Sequence, residues 1–133
     1  MYDEITVSTG QRNCWVDITD SIQERINKSC IKNGICLISS LHTTAGITLN
    51  ENADPDVGSD FFYKINQLVS RDPAFSHSEG NSDSHIKASL VGLSVQVPVR
   101  NGILVLGTWQ SVYFCEFDGP RSRRVSVTVV GEQ

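Results

Sequence analysis

The chain has 133 residues, 39% of them apolar and 20% charged with both signs mixed, and its formal net charge is −4. That length builds one domain with a core of its own. The acidic balance gives no broad basic field for nucleic acid, and no apolar run approaches the roughly 18 residues of a membrane span.

Met1-Tyr2-Asp3-Glu4 is acidic and lacks a signal-peptide pattern, so a cytoplasmic protein is expected. Cys14, Cys30, Cys36 and Cys115 are widely spaced with no C-x-x-C pair, and each stands beside apolar residues. They are read as buried reduced thiols rather than disulfides or zinc ligands.

Ile5-Thr6-Val7 and Cys14 to Ile18 read as short strands with Gly10 and Asn13 in the turn between them. A helix follows, capped by Thr19 or Asp20, with Ile22, Ile26 and Cys30 on its apolar face and Asn33-Gly34 as its stop. Ile35 to Ser40 is a nearly all-apolar strand, expected at the centre of the sheet, and Ile47 to Leu49 is another strand. Asp54-Pro55 starts a second helix, Asp as N-cap and Pro at N1, with Val57, Phe61, Ile65 and Leu68 as its stripe and Gly58 as a weak spot with a close-packing reason. Ile86 to Leu93 reads as a third, short helix, with Ile86 and Leu90 one turn apart and Ser82 or Asp83 as its cap.

The remainder is β. Ser94 to Val99 alternates, and Pro98 argues for an edge. Arg100-Asn101-Gly102 is a hairpin turn, Ile103 to Leu106 and Trp109 to Phe117 are buried strands, and Val125 to Val130 closes the sheet ahead of a tail. The expectation is an α+β fold in one domain spanning residues 1–133. About seven or eight strands, mostly hairpin-connected in an antiparallel or mixed sheet, would carry about three helices.

Chemistry gathers in three polar stretches. His77-Ser78-Glu79-Gly80-Asn81-Ser82-Asp83-Ser84-His85 holds two of the three histidines and no apolar side chain, so it either floats in solvent or lines a site. His85 falls in the first turn of a helix, where the dipole disfavours imidazolium. A neutral imidazole suits a metal or a hydrogen-bonding catalyst. His42 ends a buried strand and is followed by Thr43, Thr44 and a small-residue turn. Its plain alternative is a histidine bonded to its own turn. Asn50-Glu51-Asn52-Ala53-Asp54 is the third polar stretch. Three imidazoles, or two and a carboxylate, make the ligand set of a catalytic zinc site, although no local spacing here is diagnostic of one. For Arg123 and Arg124 the plain reading is solvated surface charge.

Leu41-His42-Thr43-Thr44-Ala45-Gly46, Asn50-Glu51-Asn52-Ala53-Asp54, Glu79-Gly80-Asn81 with His85, Leu106-Gly107-Thr108-Trp109-Gln110 and Glu116-Phe117-Asp118-Gly119-Pro120-Arg121 together resemble the YjbQ-like family, in order and over almost the whole chain. The resemblance implies a compact α+β fold and a homotrimer with the site near a subunit boundary. It also implies a divalent metal, zinc being the candidate, with His42, His77 and His85 as its ligands. Glu51, Asp54, Asn81 and Arg121 would be catalytic, and Thr43, Thr44, Trp109 and Gln110 substrate-binding.

The family carries the label of a secondary thiamine-phosphate synthase. The implied activity is a transferase that joins a thiazole phosphate to a pyrimidine pyrophosphate. Arg121 or a metal would assist the leaving group, Trp109 would stack on a ring, and the helix start at Ser84 would hold a phosphate. Two alternatives stand beside it: a zinc-type hydrolase with Glu51 as general base, and a non-enzymatic metal- or metabolite-binding trimer. The expected partners are a small phosphorylated metabolite and two further copies of the chain, with no nucleic acid and no membrane.

Overall fold

The computed structural model describes residues 1–133. In chain order the elements are β1 (Tyr2–Ser8), β2 (Cys14–Asp17), α1 (Thr19–Ser29), β3 (Asn33–Ser40), β4 (Ala45–Glu51), α2 (Pro55–Leu68), α3 (Ser82–Val91), β5 (Ser94–Arg100), β6 (Ile103–Leu104), β7 (Gln110–Glu116) and β8 (Ser122–Glu132). The α+β class holds, with eight strands and three helices.

The strands form two sheets rather than one: five ordered β1-β8-β3-β5-β6 and three ordered β2-β7-β4, every pair antiparallel. The only hairpin between sequence neighbours is β5–β6, so the expectation of mostly hairpin connections is corrected. Its turn is as read, with Asn101 and Gly102 both at positive φ (52° and 77°), the conformation a two-residue hairpin requires.

β3 is central, between β8 and β5. β8 does not close the sheet. It lies between β1 and β3, and the expected tail is part of it. β5 is not an edge either; it is flanked by the two-residue β6, and beyond that pairing Val105 N–H donates to the Pro98 carbonyl. Backbone N and C=O of one strand residue point the same way, so the missing Pro98 N–H falls where the ladder already ends. The expected strand 103–106 shrinks to β6, whose Ile103 is exposed, as is Val105 after it.

β7 explains the interior. It is central in the smaller sheet and buried on both faces. Val112 and Phe114 join the main core with Ile22, Ile26, Ile38 and Val127. Tyr113, Cys115 and Phe117 point to the other side, into a smaller cluster with Ile65, Trp15, Phe61 and Phe62. Cys36 and Cys115 are buried reduced thiols, pushed up by burial to about 11 and about 12, whereas Cys30 is exposed.

Cys30 is itself the α1 stop, in left-handed conformation at φ 60°. Asn33-Gly34 instead opens β3. Neither Thr19 nor Asp20 caps α1: Ile18 holds that position without a side-chain cap, and Thr19 bonds to the Asp17 carboxylate.

α2 starts as read, with the Asp54 carboxylate accepting from Asp56 N–H and Pro55 at the first position. Its stripe is narrower than expected, because Leu68 is exposed. Gly58 has its packing reason: a Cβ there would stand 2.9 Å from the Trp15 ring.

α3 departs most. Its cap is Asn81, not Ser82 or Asp83. Ile86 and Leu90 are exposed while Asp83, Ser84, Lys87 and Ala88 are buried. The helix turns its charged side inward, because its partners there are polar.

Candidate functional site

Four segments converge at one end of the molecule. The 41–44 connection leaves β3, the 117–121 turn leaves β7, β8 begins at Ser122, and α3 begins behind Asn81. The register brings them together: Ala45 pairs with Glu116, and Ser40 with Val125.

Beneath them lies a closed ion-pair network. Glu116 is fully buried and receives both Nε and Nη2 of Arg123, the Thr9 hydroxyl and Asp118 N–H. Arg123 Nη2 also donates to the Thr44 hydroxyl at 2.8 Å. Burial pushes the Glu116 carboxyl up, but Arg123, Thr9 and Asp118 outweigh it and hold it below the ordinary carboxylate range. Arg123, read from sequence as a solvated charge, is 4% exposed. Arg124 does face solvent, paired with Glu4.

Above this network opens a depression of about 370 Å³ lined by His42, Thr43, Thr44, His77, Glu79, Asn81, His85, Asp118, Arg121 and Arg123, with Leu41 its one apolar wall. All three histidines are on its wall. His77 and His85 stand edge to face with centroids 5.3 Å apart. His42 Nε2 accepts Arg124 N–H at 2.8 Å, which places its proton on Nδ1. Burial lowers the His42 pKa, and Arg123, Arg124 and Arg121 add to the effect against Glu116. His42 is therefore a neutral donor at pH 7.

Arg121 Nε donates to the Asp118 carbonyl and Nη2 to its carboxylate, leaving Nη1 without a partner in its half-exposed side chain. Asn81 Nδ2 donates to the same carboxylate at 2.8 Å, so its Oδ1 is buried with no partner. The amides of Ser84 and His85 return to the Asn81 carbonyl, so the amides of Ser82 and Asp83 have no helical acceptor. The depression thus presents cationic and neutral donors, two carboxylates, Glu79 and Asp118, and one orphaned acceptor.

The donor set fits a divalent ion only in part. Two imidazoles on one zinc at about 2.0–2.1 Å are compatible with the His77–His85 separation, and Asn81 Oδ1 is an oxygen in need of a partner. No group of three or more His, Cys, Asp or Glu side chains is placed to hold one ion, and the His42 Nε2 lone pair is already engaged.

Four expected site residues are elsewhere in the same chain. Glu51 pairs with Gln110 at the far end of β4, about 20 Å of strand from the depression. Asp54 is the α2 cap, and Gln110 Oε1 accepts Gly107 N–H to close its own turn. Trp109 is 61% exposed beside them. Sequence reading missed Glu116 and Arg123 as the support of the site, and Thr9 with them. Glu116 had a signal, a carboxylate ending the largely apolar β7, whereas Arg123 stands beside Arg124 in the polar start of β8 and Thr9 in a connection, where nothing marks either as buried.

The model of the family described as "UPF0047 protein YjbQ-like" matches residues 3–132. A UPF0047 protein of Methanocaldococcus jannaschii is 47% identical over 127 residues, 96% of this chain and 92% of that one. The UPF0047 protein YugU of Bacillus subtilis is 43% identical over 98% of this chain and all of its own. Among solved structures, a YjbQ/UPF0047 protein of Clostridium acetobutylicum superposes with a TM-score of 0.93 at 44% identity, covering 96% of this chain and 99% of that one. A protein of Sulfolobus solfataricus described as YbjQ-like gives 0.94 at 39% identity, over 99% of this chain and 97% of that one.

Proposed function

The chain belongs to the family of UPF0047, YjbQ-like proteins, and from that premise we propose a transferase of the thiamine-phosphate synthase type acting on a phosphorylated metabolite in the histidine-lined depression. The observation that carries this reading is the convergence of His42, His77 and His85 with Arg121 and the start of α3 on one wall. In the reaction the thiazole nitrogen forms a C–N bond to the pyrimidine methylene, the C–O bond to pyrophosphate breaks, and its electron pair leaves with pyrophosphate. The nitrogen has no proton to lose, so no strong base is needed. What the site must supply is orientation and charge stabilisation.

Arg121 Nη1 and the free amides at the start of α3 are donors for phosphate oxygens. The His42 Nδ1–H adds a neutral donor. A divalent ion, zinc included, would be held by His77, His85 and Asn81 Oδ1, and when bound would add charge neutralisation for the leaving group. The hydrolase alternative calls for a carboxylate base, and Glu51 lies at the other end of β4.

The reading includes a homotrimer with the site near a subunit boundary. A neighbouring copy would then bring an aromatic ring, Trp109 with Gln110, to a depression that has only Leu41 as an apolar wall of its own.

The test is pyrophosphate release from the two precursors, with and without chelator, beside titration calorimetry with the thiazole phosphate. Arg121→Lys removes the planar fork but not the charge. It is expected to cost about 1.5–3 kcal/mol, or roughly ten- to a hundredfold in affinity, with little change in the melt. Unchanged affinity in the folded variant would take Arg121 out of the site. Binding without turnover would favour the non-enzymatic trimer.

A further inference from the structure

α3 has a second polar side. Asp83 and Lys87 lie two residues on from Asn81 and His85, about 200° around the helix, and face away from the histidines. Both side chains are only 2% exposed. Asp83 takes Arg12, from the connection between β1 and β2, in a two-pronged contact of 3.2 Å each. Lys87 Nζ donates to Asn66 of α2 at 2.7 Å and to Asp83 at 3.3 Å. Arg71, just beyond α2, is exposed and enters none of the chain's ion pairs. These residues and Asn13 line a separate depression of about 370 Å³.

The charge there is unbalanced: three cations face a single carboxylate. Burial lowers the Lys87 pKa, the Asp83 hydrogen bond and charge oppose that, and Arg12 and Arg71 lower it further. Donors are left over as well. Lys87 uses two of its three N–H groups, Arg12 Nε has no acceptor, and Arg71 has none at all. An acceptor is also left over, because Asn13 Oδ1 is buried without a partner. A cluster serving only to pin α3 against α2 would need Lys87, Asp83 and Arg12, but neither Arg71 nor an open cavity.

We propose that this second depression binds an oxyanion of the phosphate class, either inorganic phosphate or the phosphoryl group of a simple monoester, between Arg12, Arg71 and Lys87. A dianion relieves the repulsion among the three cations and accepts their spare N–H groups. This site stands apart from the histidine-lined depression and does not depend on the reaction assigned there.

The experiment is calorimetric titration of inorganic phosphate, and separately of glycerol 3-phosphate, at low ionic strength against a chloride control. It is run on the unaltered protein, Arg71→Ala and Arg121→Ala. Arg71 has no internal partner, so its removal leaves the fold in place. The expected result is saturable binding that weakens at least tenfold in Arg71→Ala and survives in Arg121→Ala. Tungstate soaked into crystals should give an anomalous peak between Arg12, Arg71 and Lys87. Tighter binding of glycerol 3-phosphate through Arg71 would identify a monoester as the ligand; binding of phosphate alone would identify the free ion. No saturable binding, binding indifferent to Arg71→Ala, or tungstate found only beside Arg121 would each overturn the proposal.

Discussion

Glu116 and His42 set how the site responds to acid. The Glu116 carboxylate is held below its ordinary pKa, so its contribution to stability is complete above the unfolded value and is lost only as pH falls through the lower folded one. His42 acts earlier. Its folded pKa is also lowered, and for a base this means that the unfolded chain takes up the proton first. The contribution is present above the unfolded value of about 6.5 and declines as pH falls below it. Protonation would also cost Nε2 its bond from Arg124 N–H. We therefore expect the urea midpoint to fall between pH 7.5 and pH 5, and His42→Gln to flatten that fall. A midpoint level across the interval would contradict the neutral assignment of His42. Exchange of Arg123 for an apolar residue is a harsher change, since it strands the Glu116 charge among apolar neighbours.

Two helices show how packing overrides pattern. On α3 the apolar residues Ile86 and Leu90 face out, because Ser84 donates to the Phe117 carbonyl at 2.6 Å and Asp83 ties Arg12 and Lys87. Each of these buried polar groups has at least one partner, and Asp83 balances part of the positive charge, so the inward charge is tolerated. On α2, Gly58 is held small by Trp15, itself stacked between Phe61 at 5.3 Å and Tyr113 at 4.2 Å. Helix propensity favours Gly58→Ala by about 1 kcal/mol. The boxed-in ring cannot yield, and overpacking costs about 1–3 kcal/mol. The variant is expected to be less stable than the parent by about 1 kcal/mol in denaturant titration. A gain in stability would show that Trp15 has room to move.

At the scale of the molecule, the five-stranded sheet has one face on the main core and one that no element of the chain covers. Ile35 is 52% exposed there, paired across strands with Val130 at 71%, and Leu37 and Tyr2 lie close by. Apolar residues on adjacent strands of an open face are the makings of a subunit contact. With the homotrimer proposed above, light scattering at micromolar concentration is expected to give three times the mass of one chain. Ile35→Lys combined with Val130→Lys should lower that mass while the far-UV spectrum is kept. A monomer mass for the unaltered protein would count against the assembly and against a site completed by a neighbouring copy.

The sequence by itself determined what is local. The Asp54-Pro55 start of α2 and the Asn101-Gly102 turn follow from steric preferences within a few residues of chain, and both stand in the structure. The β-character of 110–116 was legible for the same reason. The ordered set of polar motifs was legible too, and with it the family. Only the tertiary structure decided which motifs share a wall. His42 and His85 line one depression because β4 and β7 pair in a register that sets Ala45 beside Glu116, and Ser84 of α3 is tied to the Phe117 carbonyl just beyond. That same register sends Glu51 and Gln110 to the other end of the strands. Arg123 is buried because β8 runs between β1 and β3, and its Thr44 partner is 79 residues away in the chain. Burial and pairing are properties of contacts between distant segments. A pattern read over a few residues carries the preference of each segment but not the identity of what will lie against it.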